Sequence, residues 1–159
     1  MSACKKPPAE RKQEFTMKIA LGADHKGYAL KEDIKAFLTK LGHEFIDFGT
    51  DSEESTDYPD YGMRVAVSVA NHESDRGITV CWTGNGMNMV VNKLPEIRGA
   101  YALTEEMAQL SRQHNDANVL TLGSKWVTPE LAEKIVKVWL ETKFEGGRHL
   151  QRVRKFSIE

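Results

Sequence analysis

The chain has 159 residues, 40% of them hydrophobic, and its charges nearly cancel at −1. That suffices for one domain around a single sizeable core, and it excludes an intrinsically disordered chain or a protein whose overall field attracts nucleic acid. No apolar run is long enough to cross a bilayer, and two cysteines do not make a disulfide framework, so a soluble protein of a reducing cytoplasm is expected.

Residues 1–16, MSACKKPPAERKQEFT, lack an apolar signal core and contain two glutamates, which argues against a targeting peptide. They read as a flexible N-terminal extension carrying an exposed Cys4, ahead of a single domain over 17–159. Met17 to Ala23 is an apolar run suited to a buried strand, ending in the polar turn Asp24-His25-Lys26-Gly27. Leu30, Ile34, Phe37, Leu38 and Leu41 recur at helical spacing, and Gly42 is a natural stop. Glu44 to Phe48 predicts a second strand. A loop rich in Asp, Ser, Glu and Thr follows, and Asp57-Tyr58-Pro59 opens a second helix whose buried face takes Tyr61, Val65, Val69 and His72. Arg76 to Cys81 predicts the third strand. It breaks at Thr83-Gly84-Asn85-Gly86, after which Met87, Met89, Val90 and Val91 fit a helix packed on a sheet. Arg98 to Leu103 and Asn118 to Leu122 predict strands four and five, with a helix from Thr104 to about Arg112 between them. Thr128-Pro129-Glu130 starts a further helix, with proline tolerated in the first turn. The basic segment after Glu145 reads as a shorter helix or arm.

Alternating strands and helices imply an α/β fold: a doubly wound, Rossmann- or flavodoxin-like, five-stranded parallel sheet with helices on both faces, its strand order left open. Ligands of such sheets bind beyond the carboxyl ends of the strands. That rule lines up Asp24 and His25 after strand one, Cys81 to Gly86 after strand three, and Lys125 after strand five. A glycine-rich turn feeding a helix presents free amides, so it suits an anion and should lower the pKa of a neighbouring thiol. Cys81 beside Thr83 thus suits a base or nucleophile facing an oxyanion. Each residue also has a plainer role. Cys81 fits a small buried hydrophobe, Asp24 a helix cap, and His114 a helix end favoured by the macrodipole. The run Arg148, Arg152, Arg154, Lys155 fits a solvated basic face or a weak nucleic-acid patch. No His, Cys or Asp spacing resembles a zinc motif.

The segments GADHKGYALK, TDYPDYG, CWTGNGMN, RQHNDANVLTLGSK and EGGRHLQR, in this order from about Met17 to Val153, resemble the ribose-5-phosphate isomerase B family (the RpiB/LacA/LacB sugar-phosphate isomerases). The resemblance implies interconversion of ribose 5-phosphate and ribulose 5-phosphate through a cis-enediolate, with no metal or organic cofactor. It puts Cys81 where the family's proton-transfer base stands. Some members use a glutamate shortly after the turn, and here that place is Met87. Thr83 and the amides of Gly84, Asn85 and Gly86 would hold the enediolate oxygen. Asp24 and His114 match residues that open the sugar ring and handle hydroxyl protons. His25, Arg148 and Arg152 match phosphate contacts, Tyr58 a wall of the pocket, and Asn115 a holder of sugar hydroxyls. The family's pocket lies between two subunits, so a homodimer with shared sites is implied, with no nucleic-acid or membrane partner. Two departures bear on the preferred sugar. Trp82 stands where many relatives have glycine. Lys125 stands where many have arginine, which keeps the charge but loses the two-pronged donor. A tetrose or hexose phosphate, and a non-catalytic phosphosugar-binding module on the same fold, are the competing expectations.

Overall fold

The computed structural model describes residues 15–156. Cys4 and almost all of the N-terminal extension therefore lie outside the described residues, as do 157–159. Five strands, β1 (Lys18–Ala23), β2 (Glu44–Asp47), β3 (Arg76–Cys81), β4 (Gly99–Tyr101) and β5 (Val119–Gly123), alternate with helices α1 (Tyr28–Leu41), α2 (Tyr58–Ala70), α3 (Asn85–Val91), α4 (Glu105–Asn115) and α5 (Pro129–Glu141). A short α6 (Arg148–Val153) closes the chain. All neighbouring strands are parallel, as alternation requires.

The sheet order is β2-β1-β3-β5-β4. The flavodoxin order would run 2-1-3-4-5, so strands four and five are exchanged and the three-residue β4 becomes the edge. The chain crosses over β5's future place to lay down β4, then returns to fill the gap. β1, β3 and β5 are consequently adjacent, and the loops after them share one stretch of the carboxyl edge.

The two faces are unlike. On one, Ile19, Leu21, Ile78, Val80, Leu120 and Leu122 meet the apolar stripes of α1 and α5, with Trp139 fully buried among them. On the other, α2 and α3 lie against small residues. A Cβ on Gly77 would stand 2.6 Å from Val65 Cγ1, and one on Gly22 would stand 2.8 Å from Val65 Cγ2. That close approach holds α2 against the middle of the sheet.

Local signals act largely as expected. Gly42 ends α1 at φ 83°, and the hydroxyls of Thr104 and Thr128 accept from the amides of Met107 and Leu131 to cap α4 and α5. Three expectations are corrected. His72 is not on the buried face of α2 but past its end, at φ 60°. The fourth strand is Gly99–Tyr101 alone, because Arg98 is already turning to bond Asp116 and Asn118. Met89 of α3 points to solvent, while Met87 and Val91 carry its buried side. One feature ran against composition: Lys31 is fully buried within α1, its ammonium 2.6 Å from Asp47 and 3.0 Å from Glu32. Among the described residues no helix is long and apolar enough to cross a membrane.

Candidate active site

Cys81 is the last residue of β3 and is 4% exposed. The chain then turns through Gly84 at φ 87° into α3, and the Gly84 amide donates to Cys81 Sγ at 3.2 Å. The turn is stitched to the neighbouring loop: the Ser124 amide donates to Cys81 O and the Lys125 amide to Trp82 O, both at 2.9 Å. Ser124 Oγ donates to Lys26 O at 2.8 Å, so the loops after β1, β3 and β5 are tied into one platform.

Asp24, directly after β1, is 6% exposed, and its Oδ1 accepts from the amides of Lys26 and Gly27 at 3.0 and 2.9 Å. It therefore organises the turn before α1 rather than capping the helix, whose N-cap is Gly27. Among the described residues its Oδ2 has no donor. His25 Nδ1 accepts from the Thr56 amide at 3.2 Å, which fastens the 50–57 loop over the site. Tyr58 packs closely on Gly86, where any Cβ would come within 2.6 Å of the ring. Asp24, His25, Tyr58, Cys81, Thr83, Gly84, Asn85, Gly86 and Lys125 are thus brought to one place.

The expected lowering of the thiol's pKa is corrected. Burial pushes the Cys81 thiol up; the amides of Met87, Gly84 and Thr83 pull it down, and the Asp24 carboxylate pushes it up again, leaving it above its ordinary value. A turn rich in amides does stabilise a thiolate, but burial beside a carboxylate outweighs it here.

His114, Asn115, Arg148 and Arg152 are elsewhere. α4 starts just after β4 ends at the carboxyl edge and runs back for eleven residues, roughly 16 Å of helix, to the amino end of β5. His114 and Asn115 therefore sit at the opposite edge of the sheet from Cys81. α6 packs on α4 and brings Arg148 and Arg152 to the same end. Both guanidinium groups are exposed, and neither has an acidic partner among the described residues. His114 stacks on His149 with ring centroids 4.4 Å apart and planes 13° from parallel. Between the two half-sites, along the edge strand β4, runs an apolar groove of about 490 Å³ lined by Tyr101, Met107, Leu110, His114 and Phe156.

The description Ribose/Galactose Isomerase matches residues 19–156, nearly all of the described chain. The chain belongs to the ribose/galactose isomerase family. It is 52% identical over 136 residues to the ribose-5-phosphate isomerase B of Escherichia coli K12, covering 86% of this chain and 91% of that one. The Clostridium thermocellum ribose-5-phosphate isomerase B structure superposes with a TM-score of 0.86 at 52% identity, covering 87% and 94%. A Mycoplasma genitalium ribose-5-phosphate isomerase B with bound ribulose 5-phosphate superposes at 0.83 and 39% identity, covering 87% and 92%.

Two residues packed beside the candidate site escaped the sequence. Tyr101 fits tightly on Gly84, where a Cβ would come within 2.5 Å of its ring, and burial together with the nearby Cys81 raises its phenol's pKa. Its place as the last residue of β4 was the available signal. Thr56, whose amide holds His25, has a buried hydroxyl without a partner among the described residues. It lies in a loop with no periodicity to mark it.

Proposed function

We propose that the protein is an aldose–ketose isomerase interconverting ribose 5-phosphate and ribulose 5-phosphate, needing no metal or organic cofactor. The observation that carries this is Cys81 at the end of β3 with the Gly84 amide on its sulfur, in a chain of this family. Cys81 Sγ, as thiolate, removes the proton from C2 of the open-chain aldose and returns it to C1, while a hydroxyl proton passes between O2 and O1. Proton and electron pair both stay within the substrate–enzyme pair, so nothing is oxidised or reduced from outside. Negative charge gathers on an enediolate oxygen, and Thr83 with the amides of Gly84, Asn85 and Gly86 stands ready to stabilise it. Asp24, with Oδ2 available, and His114 open the ring and handle hydroxyl protons. His25, Lys125, Arg148 and Arg152 hold the phosphate, Asn115 the sugar hydroxyls, and Tyr58 walls the pocket.

These roles need two chains. Cys81 and His114 lie at opposite sheet edges of one chain, so one protomer supplies Asp24, Cys81 and the glycine turn while its partner supplies the His114 and Arg148 side. The unpaired edge strand β4 and the half-exposed Met107, Leu110 and Phe156 beside it suit a second copy of this chain. We place the homodimer in the cytoplasm.

A second reading keeps the chemistry and changes the sugar. Trp82, next to the base, is 46% exposed, and the ammonium groups of Lys26 and Lys125 lie 5.6 and 5.8 Å from its ring centroid. A ring so placed reshapes the sugar end of the site. A coupled assay across tetrose, pentose and hexose phosphates tests both readings, with ribose 5-phosphate expected to give the highest kcat/KM. Cys81→Ala should abolish solvent-deuterium exchange at the substrate carbon while phosphosugar binding persists; near-normal turnover in that variant would remove Cys81 from its role.

A further inference from the structure

Glu145 and His149 are far from His114 in sequence, and no zinc motif has this spacing. The fold nevertheless gathers them. The Glu145 amide donates to Gln113 O at 3.1 Å, which pins the segment to α4 next to His114. Gly146 and Gly147, at φ 67° and 56°, then turn the chain so that His149 comes back over Glu145. His149 is only 7% exposed, although it belongs to a short, largely exposed helix. One ligand atom from each of His114, Glu145 and His149 lies within 4.8 Å of the others.

We propose that His114, Glu145 and His149 form a site for a divalent transition metal of the zinc class. Two imidazoles and one carboxylate are a donor set that zinc takes with an open fourth position. Ligand atoms about 2.0–2.2 Å from a tetrahedral ion stand about 3.4 Å from each other. His149 Nε2 and Glu145 Oε2 are already 3.5 Å apart. The third ligand must close by up to roughly 1.4 Å, which requires the half-buried His114 ring to turn out of its stack on His149. Arg148 and Arg152 oppose a cation here and weaken the site, whereas a phosphate held by them would offset that charge.

Metal at this site would occupy His114 and thereby inhibit. Binding stands by itself; inhibition rests on the isomerase reading, in which His114 handles substrate protons. The two are separable by experiment. Binding is measured by titrating zinc chloride into untagged, full-length Cys4→Ser/Cys81→Ala protein, in which no thiol competes, with cobalt(II) absorption reporting the geometry. One equivalent per chain is expected, with affinity falling more than about tenfold in Glu145→Gln and in His149→Ala. Glu145 is exposed, so Glu145→Gln tests the site even if His149→Ala misfolds. Unchanged binding in Glu145→Gln, or no saturable binding up to millimolar zinc, overturns the site. In the thiol-containing enzyme, zinc should inhibit, and Glu145→Gln should relieve that inhibition by a like factor. Binding without inhibition would leave the site standing and remove His114 from the chemistry.

Discussion

Cys81 is the residue on which sequence and structure disagree most usefully. A thiol beside free amides was expected to ionise readily, yet burial and Asp24 hold it protonated above its ordinary range. With the folded pKa raised, the proton on Cys81 favours the native state below the ordinary thiol pKa, and this contribution is lost as pH rises through the folded value. On the proposed reading the base is the thiolate, so activity has the opposite sign. The pH profile of kcat/KM should therefore keep climbing past about pH 8.5, the free-thiol value, and iodoacetamide should alkylate Cys81 faster along the same limb. A profile already flat near neutrality would contradict a thiolate base in this environment. Trp82 makes a second prediction at this scale. A buried tryptophan cut to glycine would cost about 3–5 kcal/mol, but Trp82 is exposed in the chain. Trp82→Gly should cost about 1 kcal/mol or less and raise relative kcat/KM toward hexose phosphates. Melting temperature and the substrate panel, measured on the same protein, decide it: a lowered melting temperature with an unchanged sugar ranking rejects the pocket role.

At the scale of elements, the sheet's thin face positions the site. Val65 of α2 sits over Gly77 and Gly22, and α2 in turn lays Tyr58 against Gly86 of the turn after Cys81. Gly77→Ala should overpack that contact at a cost of about 1–3 kcal/mol, read as a fall in the denaturant midpoint. An unchanged midpoint would mean that α2 is not held as closely as described. The elements themselves were largely legible in the sequence, since periodicity, Gly42, Thr104 and Thr128 each act through local bonds. The exchange of β4 and β5 was not, because strand order depends on which gap a returning crossover fills. Nor was the buried Lys31, whose partner Asp47 comes from the next strand. In the site, Asp24, His25, Cys81 and the glycine turn were legible because they end adjacent strands. Tyr101, Thr56 and the pairing of His114 with His149 required the chain to be folded first.

At the scale of the molecule, the decisive fact is the separation of the two half-sites. The carboxyl edge of the sheet holds Cys81 and the glycine turn; the amino edge holds His114, Asn115 and two arginines without acidic partners among the described residues. On the proposed reading, a single protomer keeps the parts of one active site at opposite edges of its sheet. The proposed two-fold dimer across the β4 edge would bring each half to its complement. Subunit mixing tests this most directly. Cys81→Ala and His114→Ala proteins, each inactive alone, are combined under conditions of chain exchange and assayed with ribose 5-phosphate. Random pairing makes half the dimers mixed, and each mixed dimer has one intact site of two, so about a quarter of wild-type activity should return. Activity that stays at the level of the separate variants after proven exchange, or full activity in a strictly monomeric wild-type protein, would contradict a shared site.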